Sequence, residues 1–261
     1  MDFINSVWIS GTPRTGSMWT TNVIREILKY VGDSVFPEKQ LQNDEDFFKL
    51  FQSSALNDAH RKNKYVLKTH QLMKLDLPRS KYIVNIRNPY DICASFFEFM
   101  QCDIKTAINV AKEHVRVVEY YKSARRNDVF FVRYEHMESS PMDVILDVSK
   151  FLRVVINRND AEEISKKFDK NSVKRIIEDT DLQLNMKIKN KEKLSPDEVV
   201  IISTENYRAI DQDTGFQTGH ISNRKSGEWS KSFVDSEIPE IVKALNDTAI
   251  HLGYQSELNE L

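Results

Sequence analysis

Ser10-Gly-Thr-Pro-Arg-Thr-Gly-Ser-Met-Trp19 is a glycine-punctuated turn between the apolar run Phe3 to Ile9 and a helical pattern that begins near Ser17. A strand that turns sharply into a helix gathers unpaired backbone N–H groups and the positive end of the helix dipole at one point. Proteins hold phosphate and sulfate in this way. Gly11 and Gly16 permit the close approach that such a turn needs, and Arg14 adds a fixed positive charge beside it. The stretch therefore predicts an α/β fold that opens on an anion-binding loop; the plain rival is a tight connection with no ligand.

Working outward, Thr20 to Tyr30 places Val23, Ile24, Ile27 and Leu28 at helical spacing. Asp33 to Asn43 reads as a loop and Glu45 to Arg61 as an amphipathic helix. Lys64-Tyr-Val-Leu-Lys-Thr-His70 and Ser80-Lys-Tyr-Ile-Val-Asn-Ile-Arg87 are short strands ending in polar residues. Pro89 starts a helix carrying Asp91 and Ser95, and Asp103 caps a long helix to Arg125. Val129 to Tyr134 is a further strand and Met142 to Leu152 a further helix, so strands and helices alternate. The expected fold is a single α/β domain over residues 1–261, a central, mainly parallel sheet flanked by helices. Ala161 to Ile210 has no clear pattern and is expected to be variable or mobile, with Lys187 to Lys193 a solvated loop; the chain closes on a helix around Ile238 to Leu252. Ligands collect outside the carboxyl ends of strands in such sheets, so Arg14, Lys68, His70 and Arg87 are expected to converge.

The 37 basic and 39 acidic residues give a net charge of −2, which argues against broad capture of nucleic acid. Cys93 and Cys102 are the only cysteines, without metal-ligand spacing, and suit a reducing compartment. No apolar run approaches the ~18 residues of a membrane span, and a strand starting at Phe3 leaves no room for a signal peptide, so the cytoplasm is the expected location.

In this order the motifs resemble those of the sulfotransferases that use PAPS (3′-phosphoadenosine-5′-phosphosulfate), especially the relatives of the cytosolic enzymes. Thr12-Pro-Arg-Thr-Gly-Ser-Met-Trp19 is similar to the family's phosphosulfate loop, and Lys68-Thr-His70 to its catalytic-base motif. Arg87-Asn-Pro-Tyr-Asp-Ile-Cys-Ala-Ser95 is similar to its 3′-phosphate motif, and Arg224-Lys-Ser-Gly-Glu-Trp229 to its carboxy-terminal loop. Tyr134-Glu-His-Met137 is a fifth, weaker marker.

The resemblance implies a role for each matching residue. Arg14 stands where the family usually has a lysine on the transferring sulfate, and Thr15, Gly16, Ser17 and Met18 would cradle the 5′-phosphate. Trp19 and Tyr134 would border the adenine, while Arg87 and Ser95 would bind the 3′-phosphate. Lys68 would support the sulfuryl or bridging oxygens, and His70 would take the acceptor's proton. The carboxy-terminal loop is two residues shorter than the family's pattern and lacks its first glycine. Asn223, Arg224 and Lys225 therefore all stand as candidates for its phosphate contact, with Arg224 and Lys225 named in the motif.

The implied activity is sulfuryl transfer from PAPS to a hydroxyl of a small-molecule alcohol or phenol, releasing adenosine 3′,5′-bisphosphate (PAP), without a metal. In-line transfer of this kind is catalysed mainly by positioning and by stabilising charge on the transferred and leaving oxygens. His114, His136 and His251 lie outside the motifs and read as packing or solvent residues. Two other functions share the loop. Gly11 and Gly16 have the spacing of a nucleotide P-loop, GxxxxGK[ST], with Ser17 in place, but the lysine is missing and the cation lies two residues before Gly16. A P-loop-type nucleotide kinase is therefore one alternative, and a catalytically silent nucleotide-binding module the other.

Overall fold

Strand β1 (Ser6–Ser10) is buried along its whole length because it is hydrogen-bonded on both sides, by β3 (Asn63–Thr69) and β4 (Ser80–Ile86). The computed structural model describes residues 5–41, 44–50, 63–73, 77–203, 206–222 and 224–257. With β2 (Ser34–Phe36) and β5 (Val129–Arg133) at the edges, the sheet runs β2-β3-β1-β4-β5, and every pairing is parallel. Successive side chains of a strand point to opposite faces. Val7 and Ile9 accordingly join one core with Val23, Ile24 and Ile27 of α1 (Ser17–Tyr30) and Ile145 and Val148 of α6 (Pro141–Phe151). Trp8 joins the other with Tyr82 and Val84 and with Val117, Val118 and Tyr121 of α4 (Ile104–Ser123). A third cluster packs α3 (Pro89–Met100) and α4 against α9 (Ile238–His251) and Trp229. The result is a single α/β domain with helices on both faces of a parallel sheet.

Helix starts follow the local chemistry. Asn88 caps α3 by accepting from the Tyr90 amide at 3.0 Å, with Pro89 in the first turn, where its missing N–H costs nothing. Asp103 caps α4 through the Thr106 amide at 2.9 Å.

Two stretches depart from the sequence reading. The expected loop Asp33 to Asn43 contains β2, three residues being too few to show a period; Val35 is buried and the strand pairs with Asn63 to Tyr65. The patternless Ala161 to Ile210 contributes to α7 (Arg158–Lys167) and contains α8 (Lys170–Lys189) and an antiparallel hairpin, β6 (Val199–Ser203) with β7 (Asn206–Ala209). Both helices bury only a narrow stripe, Ala161 and Ile164 in one and Val173, Ile177 and Leu184 in the other, which leaves the apolar pattern sparse. Lys187 to Lys189, expected in a loop, form the last turn of α8, and Lys187 pairs with Glu198 at 2.6 Å. The helix expected over 45–61 is described as α2 (Asp44–Leu50); its remainder, like Phe3 at the expected start of β1, lies outside the described residues.

The chain leaves β1 towards the β2 edge and leaves β4 towards the β5 edge, although β1 and β4 are neighbours. Connections that diverge from adjacent strand ends open a crevice, the usual ligand position in open α/β sheets.

Candidate active site

The loop that leaves β1 lies at this crevice. Arg14 and Gly16 have positive φ values, 72° and 87°, and the Thr15 hydroxyl ties the turn by donating to the Thr12 carbonyl at 2.9 Å. Gly16 is required on two counts. A Cβ there would lie 2.5 Å from Met137 Cε and 2.9 Å from Tyr134 Cδ2, at a φ that side chains rarely adopt. As the N-cap of α1 it offers no side-chain acceptor, and the first turn holds no acidic residue, so the opening amides of α1 are suited to an anion. Thr15 and Ser17 are buried in the turn, while Met18 and Trp19 are partly buried and pack on the core, Trp19 donating from Nε1 to the Phe168 carbonyl at 3.2 Å.

Arg87 follows β4 and is buried. Its Nη1 donates to the Arg14 carbonyl at 2.7 Å, its guanidinium lies 3.9 Å from the Tyr134 ring centroid, and its Nε is buried without a hydrogen-bond partner among the described residues. An orphaned buried donor is costly. Arg14 donates from Nε to Ser95 Oγ at 2.9 Å and from Nη2 to the His220 carbonyl at 3.1 Å. Burial, and then the charge of Arg87, push the Arg14 guanidinium down to about 9. Two cations crowded together in this way are stabilised by an anion between or beside them.

Ser95 lies on α3, two turns below its start, and Asp91 on the same helix organises the carboxy-terminal loop. Asp91 Oδ2 accepts from the Gly227 amide at 2.8 Å and its Oδ1 lies 3.6 Å from Arg224. Arg224 also binds Glu98 through two bonds of 3.1 Å. Arg14, Arg87, Ser95, Tyr134 and Arg224 are thus brought together around α3. Lys225 is exposed, its amide donating to Glu228 at 3.0 Å, and Asn223 lies outside the described residues.

At the end of β3, beside β1, His70 Nδ1 lies 2.7 Å from the Gly11 carbonyl. A carbonyl only accepts, so Nδ1 carries the proton and Nε2 keeps its lone pair. Lys68 Nζ lies 3.3 Å from that Nε2. Burial and then the Lys68 charge push the imidazole down to about 4, so it is neutral at pH 7; burial also lowers Lys68. Asp44 Oδ2 accepts from the Thr69 hydroxyl at 2.7 Å and the His70 amide at 3.0 Å, anchoring both residues. A neutral imidazole whose Nε2 accepts from an ammonium group can remove a hydroxyl proton once the acceptor displaces that contact, while the ammonium stabilises developing negative charge.

His114, read from sequence as packing or solvent, is fully buried. The Arg87 amide donates to its Nε2 at 3.3 Å, which leaves the proton on Nδ1 for Thr12 Oγ1 at 3.0 Å. It therefore ties the loop to the end of β4. Neither it nor Asp44 carries a sequence signal, because their partners are backbone groups or residues distant in sequence. His136 and His251 are exposed. Among the described residues no group of three or more His, Cys, Asp or Glu side chains is placed to hold a metal, and no described helix is long and apolar enough to cross a membrane.

Solved structures with this fold include mouse sulfotransferase SULT7A1 complexed with PAP (TM-score 0.58, 16% identity, covering 95% of this chain and 86% of that one). Retinol dehydratase in complex with androsterone and inactive cofactor PAP gives a TM-score of 0.60 at 14% identity, over 93% of this chain and 80% of that one. The same enzyme in a complex with retinol and PAP gives 0.58 at 16% identity, over the same shares. At these identities the likeness is one of fold. A search of curated proteins found no match. The profile of the sulfotransferase domain, however, matches residues 5–200, from the start of the central strand into the hairpin, and the chain therefore belongs to the sulfotransferase domain family.

Proposed function

We propose that this protein transfers a sulfuryl group from PAPS to a hydroxyl of a small-molecule alcohol or phenol and releases PAP. The observation that carries the reading is the neutral His70, its Nε2 beside Lys68, tied through Gly11 to the loop that carries Arg14 and accepts from Arg87. The residues present fit a nucleotide with two anionic ends. The loop amides from Thr15 to Met18 and Arg14 would hold the phosphosulfate end. The orphaned Nε of Arg87, with Ser95 and Arg224, would hold the 3′-phosphate, and Tyr134, already under a guanidinium, and Trp19 would border the base. When bound, PAPS supplies the sulfuryl group and a bisphosphate leaving group.

The chain's own residues do the rest. His70 Nε2 accepts the hydroxyl proton of the acceptor, and the Gly11 carbonyl, by holding Nδ1–H, stabilises the imidazolium that results. Lys68 and Arg14 supply positive charge that is already in place. The neighbours support the acceptor class, since retinol and androsterone both carry hydroxyl groups. The free thiols Cys93 and Cys102 suit a reducing compartment such as the cytoplasm.

The test has two arms. PAP should raise the melting temperature far more than AMP does, because at 100 times Kd a ligand adds roughly 2.7 kcal/mol. Labelled PAPS screened against phenols, steroids, sugars and lipid alcohols should give a sulfated product. Equal shifts from PAP and AMP would refute the donor assignment.

A further inference from the structure

The pairing of β1 with β4 ends at Ser10 and Val84. Thr12, in the loop after β1, and Arg87, after β4, therefore lie beyond the last ladder contact of the two strands, where the chain runs apart towards opposite edges of the sheet. His114 spans the gap from a third element. It sits in the middle of α4, in the buried stripe that includes Ala107, Ala111, Val118 and Tyr121, so core packing fixes its position. A polar ring in such a stripe is costly unless its nitrogens are bonded. Nε2 accepts from the Arg87 amide at 3.3 Å, and Nδ1–H donates to Thr12 Oγ1 at 3.0 Å. Burial and then the Arg87 charge push the imidazole down to about 3, so this acceptor-and-donor pattern holds at neutral pH.

The two segments share another tie, from Arg87 Nη1 to the Arg14 carbonyl at 2.7 Å, but it belongs to a guanidinium that the donor proposed above would recruit. His114 reaches the main chain of Arg87 instead, and its bonds persist whichever way that guanidinium turns. Two anionic ends of one ligand reinforce each other only when the protein's two sites have the matching separation. The second contact then forms at a high effective concentration, and it is lost when the spacing is wrong. A nucleotide with a single phosphate makes no such demand, because the segment that holds it can shift with it.

We propose that His114 is a positioning residue for the donor: it sets the separation between the loop that would take the phosphosulfate end and the strand end that would take the 3′-phosphate. It thereby selects a nucleotide carrying both anions over one carrying either. The proposal rests on the donor reading given above and adds no covalent step to the reaction.

The test compares calorimetric affinities for PAP, AMP and adenosine 3′-monophosphate, which carry both phosphates, the 5′-phosphate alone and the 3′-phosphate alone. His114→Leu, which removes both bonds, should lower PAP affinity at least about 10-fold while each monophosphate stays within about two-fold of its wild-type value. His114→Gln, whose amide carries an acceptor and a donor on one end, should recover part of the PAP affinity. Thr12→Val removes only the Oγ1 acceptor, leaves His114 in place and should reproduce the loss for PAP alone, which keeps the test decisive if the leucine variant does not fold. A loss shared equally by the three nucleotides would overturn the proposal, because general loosening of the crevice weakens them all. So would PAP affinity unchanged in both His114→Leu and Thr12→Val. A wild type that binds PAP no more tightly than either monophosphate would refute the donor reading itself, and the proposal with it.

Discussion

His70 shows how one side chain's surroundings settle its chemistry. Burial and Lys68 hold it neutral, down to about 4, so its base form persists well below the usual histidine range. We predict that the acid limb of the pH–rate profile lies near pH 4 to 5 rather than 6.5. His70→Asn should lower single-turnover transfer at least about 100-fold, with PAP affinity within a few-fold of wild type, because on the proposed reading the imidazole serves the acceptor. Near-normal transfer by the folded variant would remove the general base. The two arginines should separate in a different way. Arg87→Ala deletes a buried group whose Nε has no partner among the described residues and should weaken PAP binding on the order of 10- to 100-fold. Arg14→Ala should chiefly slow transfer, since on the proposed reading its charge acts on oxygens whose charge changes during the reaction. Calorimetry of PAP beside single-turnover rates decides; undiminished PAP affinity in Arg87→Ala would count against its assignment.

Among the elements, the turn into α1 depends on the absence of a side chain at Gly16. Gly16→Ala must push Met137 and Tyr134 aside at a positive φ, so we expect a loss of about 1–3 kcal/mol in denaturant unfolding. PAP affinity should fall with it, because the first amides of α1 move. A variant as stable as wild type would mean that the turn relaxes freely. The start of α2 has a comparable influence on β3: Asp44 receives both the Thr69 hydroxyl and the His70 amide. Asp44→Ala should reduce transfer by on the order of 10- to 100-fold with unchanged PAP affinity, since a small misplacement of a base has that cost. Asp44→Asn, which keeps an accepting oxygen, should recover part of the loss. An equal loss of PAP binding would show that Asp44 supports the whole crevice instead.

For the molecule as a whole, three neutral histidines at one end of the sheet link stability to pH. His70 is lowered to about 4, His114 to about 3 and His220 well below 6.5, with burial the largest cause each time and neighbouring cations next. Each imidazole gains protons more readily unfolded than folded, so stability is greatest above about pH 6.5 and falls as pH drops towards 4. Urea midpoints should decline steadily over that window. His114→Gln should flatten the decline, whatever it does to stability at pH 7. A midpoint that does not change between pH 7 and pH 5 would mean that these rings accept protons in the folded state. The same charge balance bears on ligands, since Arg14, Lys68 and Arg208 all act on His220. An anion in the crevice offsets the charge of these cations, and a ligand that binds only the folded state adds to its stability.

The sequence by itself determined the elements whose signals are local. The apolar run before Gly11, the helical spacing after Ser17, Pro89 in a first turn and Asp103 as a cap are consequences of backbone and side-chain chemistry over a few residues. Their alternation was enough to imply a parallel sheet and to place Arg14, Lys68, His70 and Arg87 at strand ends. The tertiary structure alone decided what depends on partners far along the chain. β2 exists because β3 is beside it, and α7 and α8 because narrow stripes find a core. The tautomer of His70 follows from a carbonyl 59 residues away, and the anchoring of its strand end from Asp44. Arg208 meets Phe99, 109 residues earlier, only after the hairpin folds back over α3. Hydrogen bonds, burial and charge act through space, and no spacing along a chain encodes which distant groups will share a dielectric environment.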